Sequence, residues 1–422
     1  MNADFLAPQA GVRVLHAAAR AAFLYALPMT EIAIVRGNLL GAGVPAGQFF
    51  VLKGLATPKE RFVTTPNADT IYASAFIDLS NGPATLIMPP LGDRYGSVAL
   101  MDMFSDNFTV LGTRTTGQGG GTFTLVGPDD AAPAGAIRSA TPWVWALARV
   151  VVAGPDDVSA AKAILADFRC ETAPAGRWAP GADRSGPWDA WLKAANALML
   201  ENPAPVTDRR ILDRMAPLGL GDPMFDPARF TAAEVEDIVS GIADATILAK
   251  SAGFNGRRVG NWIYPAANTG NFFQDYLGRA RIAVAGLAAL PIAEATYLAG
   301  LSPDGGLFAG EGPWRLTFPA GSLPPVDAFW SLTMYEAQAN GAFFLTDNPI
   351  DRYTIGDRTP GLVDNADGSL DIWISRTDPG QDRRSNWLPA PATAPFLVMM
   401  RAYLPHQEII TQTYMPPSIE RI

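Results

Sequence analysis

The sequence predicts a multidomain protein of mixed α and β class, with an α-helical middle domain between two β-sandwiches. With 422 residues the chain exceeds what one compact core usually holds, so two or three domains are expected. Its 40 glycines and 36 prolines imply many turns, which favours β-rich construction over a helical bundle. The spacing of apolar residues changes along the chain, and these changes place domain boundaries near residues 61, 156 and 300.

Residues 1–60 are predicted to be an N-terminal helical segment, with one amphipathic helix over residues 11–38 that is disturbed at Pro28. Charged residues such as Arg20 and Glu31 interrupt its apolar stretch, so no membrane insertion is expected. The stretch also lacks a compact apolar core followed by a small-residue cleavage site. Because no signal peptide is recognised, a cytoplasmic location is the default expectation.

Residues 61–155 are predicted to form a β-sandwich, because short apolar runs alternate there with turn residues. The expected strands cover residues 70–79, 84–88, 95–102, 109–111, 122–126 and 143–152. Residues 156–299 are predicted to be the α-helical domain, with helices over residues 158–168, 187–199, 232–253 and 274–290. Strand patterns return in residues 300–422, at 314–318, 328–335, 371–375 and 396–403.

Composition disfavours several kinds of function. The net charge is -9 and no cluster of Lys and Arg forms a basic stripe, so no nucleic acid partner is expected. A single cysteine, Cys170, cannot form an intramolecular disulfide. Only two histidines are present, His16 and His406, which disfavours a Ser-His-Asp triad, a Cys-His dyad and a His-rich zinc site. No dinucleotide fingerprint occurs, and no cofactor is expected.

Several motifs resemble a known pair of domain families. TTPNADTIYASAFIDLSNGP at 64–83, GTRTTG at 112–117 and TPWVWALAR at 141–149 resemble the N-terminal domain-of-unknown-function family 1254. FWSLTMY at 329–335, NPIDRYTIGDRTP at 348–360 and DRRSNWLPAP at 382–391 resemble its usual C-terminal companion, family 1214. The resemblance implies an immunoglobulin-like β-sandwich at 61–155, an α-helical middle domain, and a C-terminal jelly-roll β-sandwich at 300–422.

The first motif contains Asn67, Asp69 and Tyr72 where a turn enters a predicted strand. Asp69 and Tyr72 are candidates for general acid and base, and Asn67 is a candidate for orienting a ligand at a sandwich edge. The structural alternative is an Asx-turn that fixes the strand entry, with Tyr72 packed in place. Alternation along the strand puts Asp69 and Tyr72 on opposite faces, so the two side chains need not meet.

The motif at 382–391 contains Arg384, Asn386 and Trp387, which are candidate substrate-binding residues. An arginine can bind a carboxylate, and a tryptophan offers a face against which a ring or sugar could stack. The structural alternative is an interdomain clamp, in which arginine pairs with aspartate and Trp387 fills the helical domain.

Tyr276 and Arg279 lie three residues apart on a predicted helix and therefore share nearly one face. Arg279 is a candidate catalytic residue that holds an anionic or carbonyl oxygen, and its structural alternative is a helix-to-sandwich salt bridge. Tyr276 and Tyr335 are candidate substrate contacts. Five residues could supply oxygen ligands, namely Asp93, Asp102, Asp106, Asp351 and Asp357, but no EF-hand spacing occurs and no metal is expected.

The leading functional hypothesis is a small-molecule enzyme of hydrolase or lyase type, with a pocket where the helical domain meets the two sandwiches. Asp69 or Tyr72 would act there as general acid or base, while Arg279 and Arg384 would hold a substrate oxygen. The main alternative is a non-catalytic protein that binds a carbohydrate or another small molecule. A structural partner whose motifs serve only docking is a third hypothesis, and a homodimer is left open.

Overall fold

The computed structural model describes residues 13–61, 64–250, 256–309, 312–339 and 341–422, and it contains both helices and sheets. The helices in these ranges are α1 (Val14–Gly41), α2 (Val158–Ala166), α3 (Trp188–Glu201), α4 (Arg209–Met215), α5 (Ala232–Lys250), α6 (Tyr276–Ala285) and α7 (Gln407–Ile410). The five predicted helices correspond to α1, α2, α3, α5 and α6 and are confirmed. The predicted ends at 11–12 and 251–253 lie outside the described residues.

The strands of the described residues form four sheets. They are β1 (Phe50–Val51), β2 (Thr70–Asp78), β3 (Ala84–Met88), β4 (Gly96–Met101), β5 (Asn107–Gly112), β6 (Gly121–Val126), β7 (Ile137–Arg138), β8 (Trp143–Val151), β9 (Arg169–Glu171), β10 (Arg258–Val259), β11 (Trp262–Ile263), β12 (Ala295–Gly300), β13 (Trp314–Phe318), β14 (Val326–Ala337), β15 (Phe343–Phe344), β16 (Thr354–Gly356), β17 (Leu370–Ser375), β18 (Trp387–Pro389), β19 (Phe396–Pro405) and β20 (Ile419–Arg421). All ten predicted strands are present, and β3 and β13 have the predicted bounds.

The first β region consists of two sheets over one apolar core. β1, β2, β8, β4 and β5 form a five-stranded antiparallel sheet in that order, and β7, β6, β3 and β9 form a four-stranded sheet. The core that joins them contains Ile71 and Val144 from the first sheet and Leu86 from the second. α2 closes this core with Ala161 and Leu165. Alternate residues of each strand supply the core because successive side chains point to opposite faces.

The helical layer is centred on α1, which packs against α3, α4, α5 and α6. Nearly every side chain across residues 18–33 is buried, including Tyr25. α1 is long and apolar enough to cross a membrane, but most of its apolar window is buried inside the fold. The same core includes Phe76, Met101 and Trp143 of the five-stranded sheet, on the face opposite its sandwich core. The helical layer therefore rests directly on that sheet.

The last β region consists of a large antiparallel sheet and a smaller sheet. β10, β11, β12, β19, β14 and β15 form the large sheet in that order, with β16 paired to β14. β18, β17, β13 and β20 form the smaller sheet, in which β17 and β18 are parallel. Leu316 and Val398 belong to the core between these sheets. The opposite face of the large sheet packs on the five-stranded sheet through Tyr95, Phe329 and Tyr403.

The segment predicted as the helical domain, residues 156–299, has elements near both ends that belong to the two β regions. α2 packs on β2 and β8, and β9 pairs with β3, so both elements join the first β region. β10, β11 and β12 join the large C-terminal sheet although they begin before residue 300. Strands of two or three residues are too short to show alternation, so periodicity does not identify them or their partners.

Candidate functional site

A pocket of about 150 Å³ lies where the turn between β4 and β5 meets the helical layer. It is lined by three aspartates, one arginine, two aromatic rings and three other side chains, namely Asp102, Asp106, Asp208, Arg279, Phe104, Phe273, Pro205, Thr207 and Gln274. Four ionisable groups share this small, partly enclosed space, an arrangement that is typical of functional sites. We call this space the Arg279 pocket.

The β4–β5 turn, residues 102–106, brings Asp102 into the pocket. Oδ1 of Asp102 accepts hydrogen bonds from the backbone N–H groups of Phe104, at 2.9 Å, and Asp106, at 3.0 Å. Ser105 adopts a φ of 68°, a left-handed conformation that is unfavourable for a residue with a side chain. Within the described ranges, Oδ2 of Asp102 has no protein hydrogen-bond partner. That oxygen is therefore available to a ligand.

α6 brings Arg279 and Tyr276 to these carboxylates. Asp275 caps the helix, because its side chain accepts a hydrogen bond from the N–H of Gly278 at 3.0 Å. Tyr276 and Arg279 then face the same cluster, as their three-residue spacing predicts. Arg281 points elsewhere and donates to a backbone carbonyl of α5. The local sequence therefore selects one of the two arginines for the pocket.

The guanidinium of Arg279 is only 3 % exposed and uses one of its nitrogen atoms. Nη2 donates to Oδ2 of Asp106 at 3.0 Å and to the carbonyl of Phe273 at 2.6 Å. Nε and Nη1 are buried and have no hydrogen-bond partner among the described residues. A buried donor without a partner costs about 1–3 kcal/mol. Nε and Nη1 are therefore the two donors of Arg279 that the fold leaves unsatisfied.

Asp208 is held by two phenols on the other side of the pocket. It ends the 3₁₀ turn Val206–Asp208, and its Oδ2 accepts from Tyr25 at 3.0 Å while its Oδ1 accepts from Tyr276 at 2.9 Å. Burial raises the pKa of both phenols above the ordinary value, and the negative charge of Asp208 raises it further. Both tyrosines therefore stay protonated near neutral pH, and each donates a hydrogen bond to Asp208.

The pKa values of Asp102 and Asp106 both lie above the ordinary value for an aspartate. Burial raises the pKa of Asp102 to about 7, with a further contribution from the Asp106 carboxylate and an opposing one from Arg279. Burial also raises the pKa of Asp106, whereas Arg279 acts to lower it. Two neighbouring carboxyl groups in a buried site retain a shared proton to higher pH than an isolated group would. An aspartate that changes charge near pH 7 can serve as a general acid or base.

Asn67 and Tyr72 lie outside the Arg279 pocket, between the five-stranded sheet and the large C-terminal sheet. Oδ1 of Asn67 accepts from the N–H groups of Asp69, at 2.6 Å, and Thr70, at 3.2 Å, which is the Asx-turn expected as the structural alternative. The half-buried Tyr72 places its ring 5.1 Å from Cζ of Arg149. The first motif therefore enters a different interface from the one that holds Arg279.

Asp69 is buried, and each of its carboxylate oxygens has a partner. Oδ1 accepts from Nη2 of Arg358 at 3.0 Å and from Oγ1 of Thr354 at 3.3 Å. Oδ2 accepts from Oγ of Ser331 at 2.7 Å. All three partners belong to the last β region, so Asp69 connects the two β regions. With both oxygens engaged in this way, the carboxylate is poorly placed to act on a substrate.

Tyr335 belongs to the same interface as Asp69. Its hydroxyl donates to the carbonyl of Pro66 at 2.7 Å and accepts from Nη2 of Arg401 at 2.5 Å. The side chain is fully buried. Tyr335 therefore holds the first motif against the large sheet, and it does not line the Arg279 pocket.

Arg384, Asn386 and Trp387 also lie away from the Arg279 pocket. Trp387 is 1 % exposed, and its indole N–H donates to the carbonyl of Ser375 at 3.0 Å. The amide of Asn386 bonds to backbone groups of neighbouring segments. Arg384 is exposed and lies 3.4 Å from Asp378. These contacts all fall within the last β region, so they do not form the clamp to the helical domain that was the structural alternative.

The positive charge beside Asp102 and Asp106 is supplied by Arg279. Within the residues that the structure describes, no group of three or more His, Cys, Asp or Glu side chains is arranged to hold a metal ion. A second cavity of about 420 Å³ lies near Tyr414 and Met415, but its lining contains no charged side chain. The Arg279 pocket is therefore the stronger candidate for chemistry.

Tyr25 and Asp208 are functional candidates that the sequence does not single out. Tyr25 is a polar residue in the middle of an apolar helix, which is one usable indication of a buried hydrogen bond. Asp208 looks like an ordinary turn residue, and it is 183 residues from Tyr25. Asp102 and Asp106 were expected only as oxygen ligands. Their proximity to Arg279 depends on the packing of α6 on the sheet.

Comparisons with known proteins agree with the motifs. Residues 46–172 match the sequence model of a family described as a protein of unknown function (DUF1254), and residues 294–407 match another with that description (DUF1214). The resemblance to this pair is confirmed. No curated protein matches the chain. Asp102 and Asp106 fall in the first matched region, whereas Arg279 and Asp208 fall in the segment between the two.

Two solved structures are similar to this chain. The VPA0106 protein from Vibrio parahaemolyticus is 21% identical, with a TM-score of 0.72, and the match covers 97% of this chain and 100% of that one. An uncharacterized protein from Burkholderia cenocepacia is 13% identical, with a TM-score of 0.49, and the match covers 97% of this chain and 94% of that one. The likeness to the Vibrio protein shows a shared fold.

Proposed function

In this chain, which carries a DUF1254 region followed by a DUF1214 region, we propose an enzyme of hydrolase or lyase type that acts on a small carbonyl compound in the Arg279 pocket. One observation carries the proposal: a carboxyl group that changes charge near neutral pH lies beside a buried guanidinium with two unused donors. The first group can move a proton, and the second can hold the oxygen on which negative charge develops.

Arg279 is the oxyanion-binding residue of the proposal. Its Nε and Nη1 donate to the substrate oxygen, while Nη2 stays bound to Asp106 and keeps the guanidinium in place. Negative charge grows on that oxygen as a carbonyl group is attacked or as a neighbouring C–H bond breaks. Removal of one such donor typically slows an enzyme by about 10²–10³-fold.

Asp102 is the proposed acid and base, through its unpartnered Oδ2 atom. In an elimination, ionised Asp102 takes a proton from the carbon next to the carbonyl, and the electron pair moves to the oxygen held by Arg279. The pair then returns to expel the leaving group, which receives the proton. In a hydrolysis, Asp102 takes the proton from water as the water oxygen adds to the carbonyl carbon, and then gives it to the leaving group.

Asp106 and Tyr276 are positioning residues in this account. Asp106 orients Arg279 through the 3.0 Å ion pair. Tyr276 stands beside the guanidinium, with its ring centre 5.7 Å from Cζ of Arg279, and donates to Asp208. Both contacts fix the arginine before a ligand arrives, which reduces the reorganisation needed in the reaction.

We assign the first β region to the immunoglobulin-like class and the last to the jelly-roll class. Two packed sheets of mainly antiparallel strands in each region support the assignment. The Arg279 pocket would then lie at one end of the first sandwich, where loops collect and binding sites are common.

The test is a substrate screen with matched variants. Purified full-length protein is incubated with a metabolite mixture, and loss of each compound is followed by mass spectrometry. We expect Asp102→Asn and Arg279→Met to lower kcat/KM for the compound found by about 10²-fold or more. Arg281→Met, on the same helix but outside the pocket, should retain wild-type turnover.

Two outcomes would contradict the enzyme proposal. Full turnover by Asp102→Asn would remove the proposed base. A compound that binds to the wild type and not to Arg279→Met, but is never converted, would favour the alternative of a small-molecule binding protein. Scanning calorimetry on the same samples shows whether Arg279→Met unfolds cooperatively, which distinguishes lost binding from a variant that has not folded.

A further inference from the structure

Arg149 is a buried cation that no carboxylate neutralises. It lies in β8, directly opposite Tyr72 of β2, and is only 2 % exposed. In the described part of the chain it forms no ion pair, and its Nε atom has no hydrogen-bond partner. Burying a positive charge without a negative partner is unfavourable, so an arginine in this position favours the binding of an anionic group.

Phenol groups surround Arg149 instead of carboxylates. The neighbours that act on its charge are Tyr72, Tyr297, Tyr403 and Tyr95. Burial raises the pKa of Tyr297 and Tyr403, so these groups remain neutral at physiological pH. Neutral phenols can donate hydrogen bonds to an anion, but they do not cancel the positive charge.

A second buried arginine approaches the same phenols from the large sheet. Arg401 of β19 is 3 % exposed and lies opposite Tyr297 of β12. Its Cζ is 6.0 Å from the ring centre of Tyr297. Nη1 donates to Thr333 and Nη2 to the hydroxyl of Tyr335, whereas Nε has no partner in the described ranges. We call Tyr72, Arg149, Tyr297, Arg401 and Tyr403 the inter-sheet cluster.

The acidic groups of this interface are taken by other arginines. Asp69 pairs with Arg358 at 3.0 Å, and Asp357 lies 3.8 Å from the same guanidinium. Glu294 pairs with Arg114 at 2.6 Å. Among the described residues, neither guanidinium of the inter-sheet cluster forms an ion pair with a carboxylate. Asp69 lies close enough to Arg401 to favour its charged form, but it is shared with Arg358, so positive charge remains in excess.

An apolar strip adjoins the inter-sheet cluster on the large sheet. On the same face of the sheet, the pair after Tyr297 and Arg401 is Ala299 and Met399. Ala299 in turn lies opposite Ile263 of β11. Met399, Ile263 and Tyr297 are half-buried, so solvent reaches this strip. An anionic group at the arginines could therefore continue into a short apolar body along the sheet.

We propose that the inter-sheet cluster is a binding site for a small organic carboxylate, separate from the Arg279 pocket. Its carboxylate group accepts hydrogen bonds from Arg149, from Nε of Arg401 and from the tyrosine hydroxyls, and its apolar body lies against Met399 and Ile263. A guanidinium suits this role because its charge is permanent and its planar donors match a carboxylate. Both matched family regions contribute to the inter-sheet cluster, Tyr72 and Arg149 from the first and Tyr297, Arg401 and Tyr403 from the second.

The binding test uses hexanoate as the probe, with hexanol and inorganic phosphate for comparison. Calorimetry on the full-length protein should detect hexanoate and give at least about tenfold weaker binding for hexanol, which lacks the charge, and for phosphate, which lacks the apolar body. Arg149→Met should weaken hexanoate binding at least about tenfold. Arg281→Met, whose side chain donates to a backbone carbonyl outside both sites, should leave it unchanged.

Stability of the unliganded protein provides the second measurement. Because Arg149 has no anionic partner, Arg149→Met should unfold at a urea concentration equal to or above that of the wild type. Arg358→Met should unfold at a lower concentration, since it leaves Asp69 buried without its partner. A destabilised Arg149→Met variant, equal binding of hexanoate and hexanol, equal binding of hexanoate and phosphate, or hexanoate binding that Arg149→Met leaves unchanged would overturn the proposal.

Discussion

Nη2 of Arg279 lies 3.0 Å from Oδ2 of Asp106, although the two residues are 173 positions apart in the chain. This ion pair joins α6 to the turn between β4 and β5, and so connects the helical layer to the five-stranded sheet. It is the helix-to-sandwich salt bridge that was the structural alternative for Arg279. Because only one nitrogen of the guanidinium is used, the same arginine can also hold a ligand.

Arg279→Met should lower the free energy of unfolding by about 1–3 kcal/mol, because it leaves the half-buried Asp106 carboxylate without its charged hydrogen-bond partner. Urea unfolding near neutral pH measures the change. Arg281→Met is the matched control, and its loss should stay below about 1 kcal/mol, since Arg281 donates to a single backbone carbonyl. Equal losses for the two variants would mean that the ion pair contributes nothing specific.

Asp102 should make the stability of the protein depend on pH. Its folded-state pKa of about 7 exceeds the ordinary value, so the folded chain keeps a proton that the unfolded chain releases. The resulting stabilisation is fully present below about pH 4 and is lost as the pH rises through about 7. The free energy of unfolding should therefore fall between these two values.

Asp102→Asn removes that titration. Between about pH 5 and about pH 8, the variant should lose roughly 2–3 kcal/mol less unfolding free energy than the wild type. Urea unfolding at both pH values measures the difference. Asp129→Asn, an exposed site, should follow the wild type. If the curves for Asp102→Asn and wild type remain parallel, Asp102 is not protonated near neutral pH.

Tyr25→Phe and Tyr276→Phe should each destabilise the protein by about 1–3 kcal/mol, because each removes one hydrogen bond to the buried Asp208. Their effects should not add in the double variant, because both hydroxyls serve one carboxylate. Tyr353→Phe is the control, since its hydroxyl bonds to the exposed Asp351. Additive losses would show that the two tyrosines act independently of Asp208.

Trp387→Ala should cost about 3–5 kcal/mol, because the side chain is fully buried and its indole N–H is hydrogen-bonded. Arg384→Ala should change stability by less than about 0.5 kcal/mol, since its ion pair with Asp378 is exposed. Thermal unfolding of both variants measures the contrast. A large effect at Arg384 would indicate that it makes a contact beyond Asp378.

Apolar periodicity predicts the longer elements well. β3 and β13 have the predicted bounds because turn residues flank both strands, and β13 also alternates strictly between apolar and polar residues. Sheet partners are harder to predict. The consecutive strands β5 and β6 flank a glycine-rich stretch that suits a hairpin, yet they lie in different sheets. Nothing local distinguishes a hairpin from a connection that changes sheets.

The candidate sites could be predicted only in part. Helical spacing identifies Tyr276 and Arg279 as one face, and the structure places both beside the pocket carboxylates. No motif in the sequence marks Arg149 or Arg401 as a site residue. Their one indication is that each is a lone charge in an apolar strand, at a position where alternation points the side chain inward. Contacts between residues far apart in the chain, such as Asp208 with Tyr25, arise only from tertiary packing.

The most direct test of the Arg279 pocket is an infrared titration of its carboxyl groups, in which the spectrum of Asp102→Asn is subtracted from that of the wild type. The difference should contain one protonated carboxyl group that persists above about pH 5 and ionises near pH 7. A difference that is empty above about pH 5 would contradict the account, because Asp102 would then have the acidity of an ordinary aspartate.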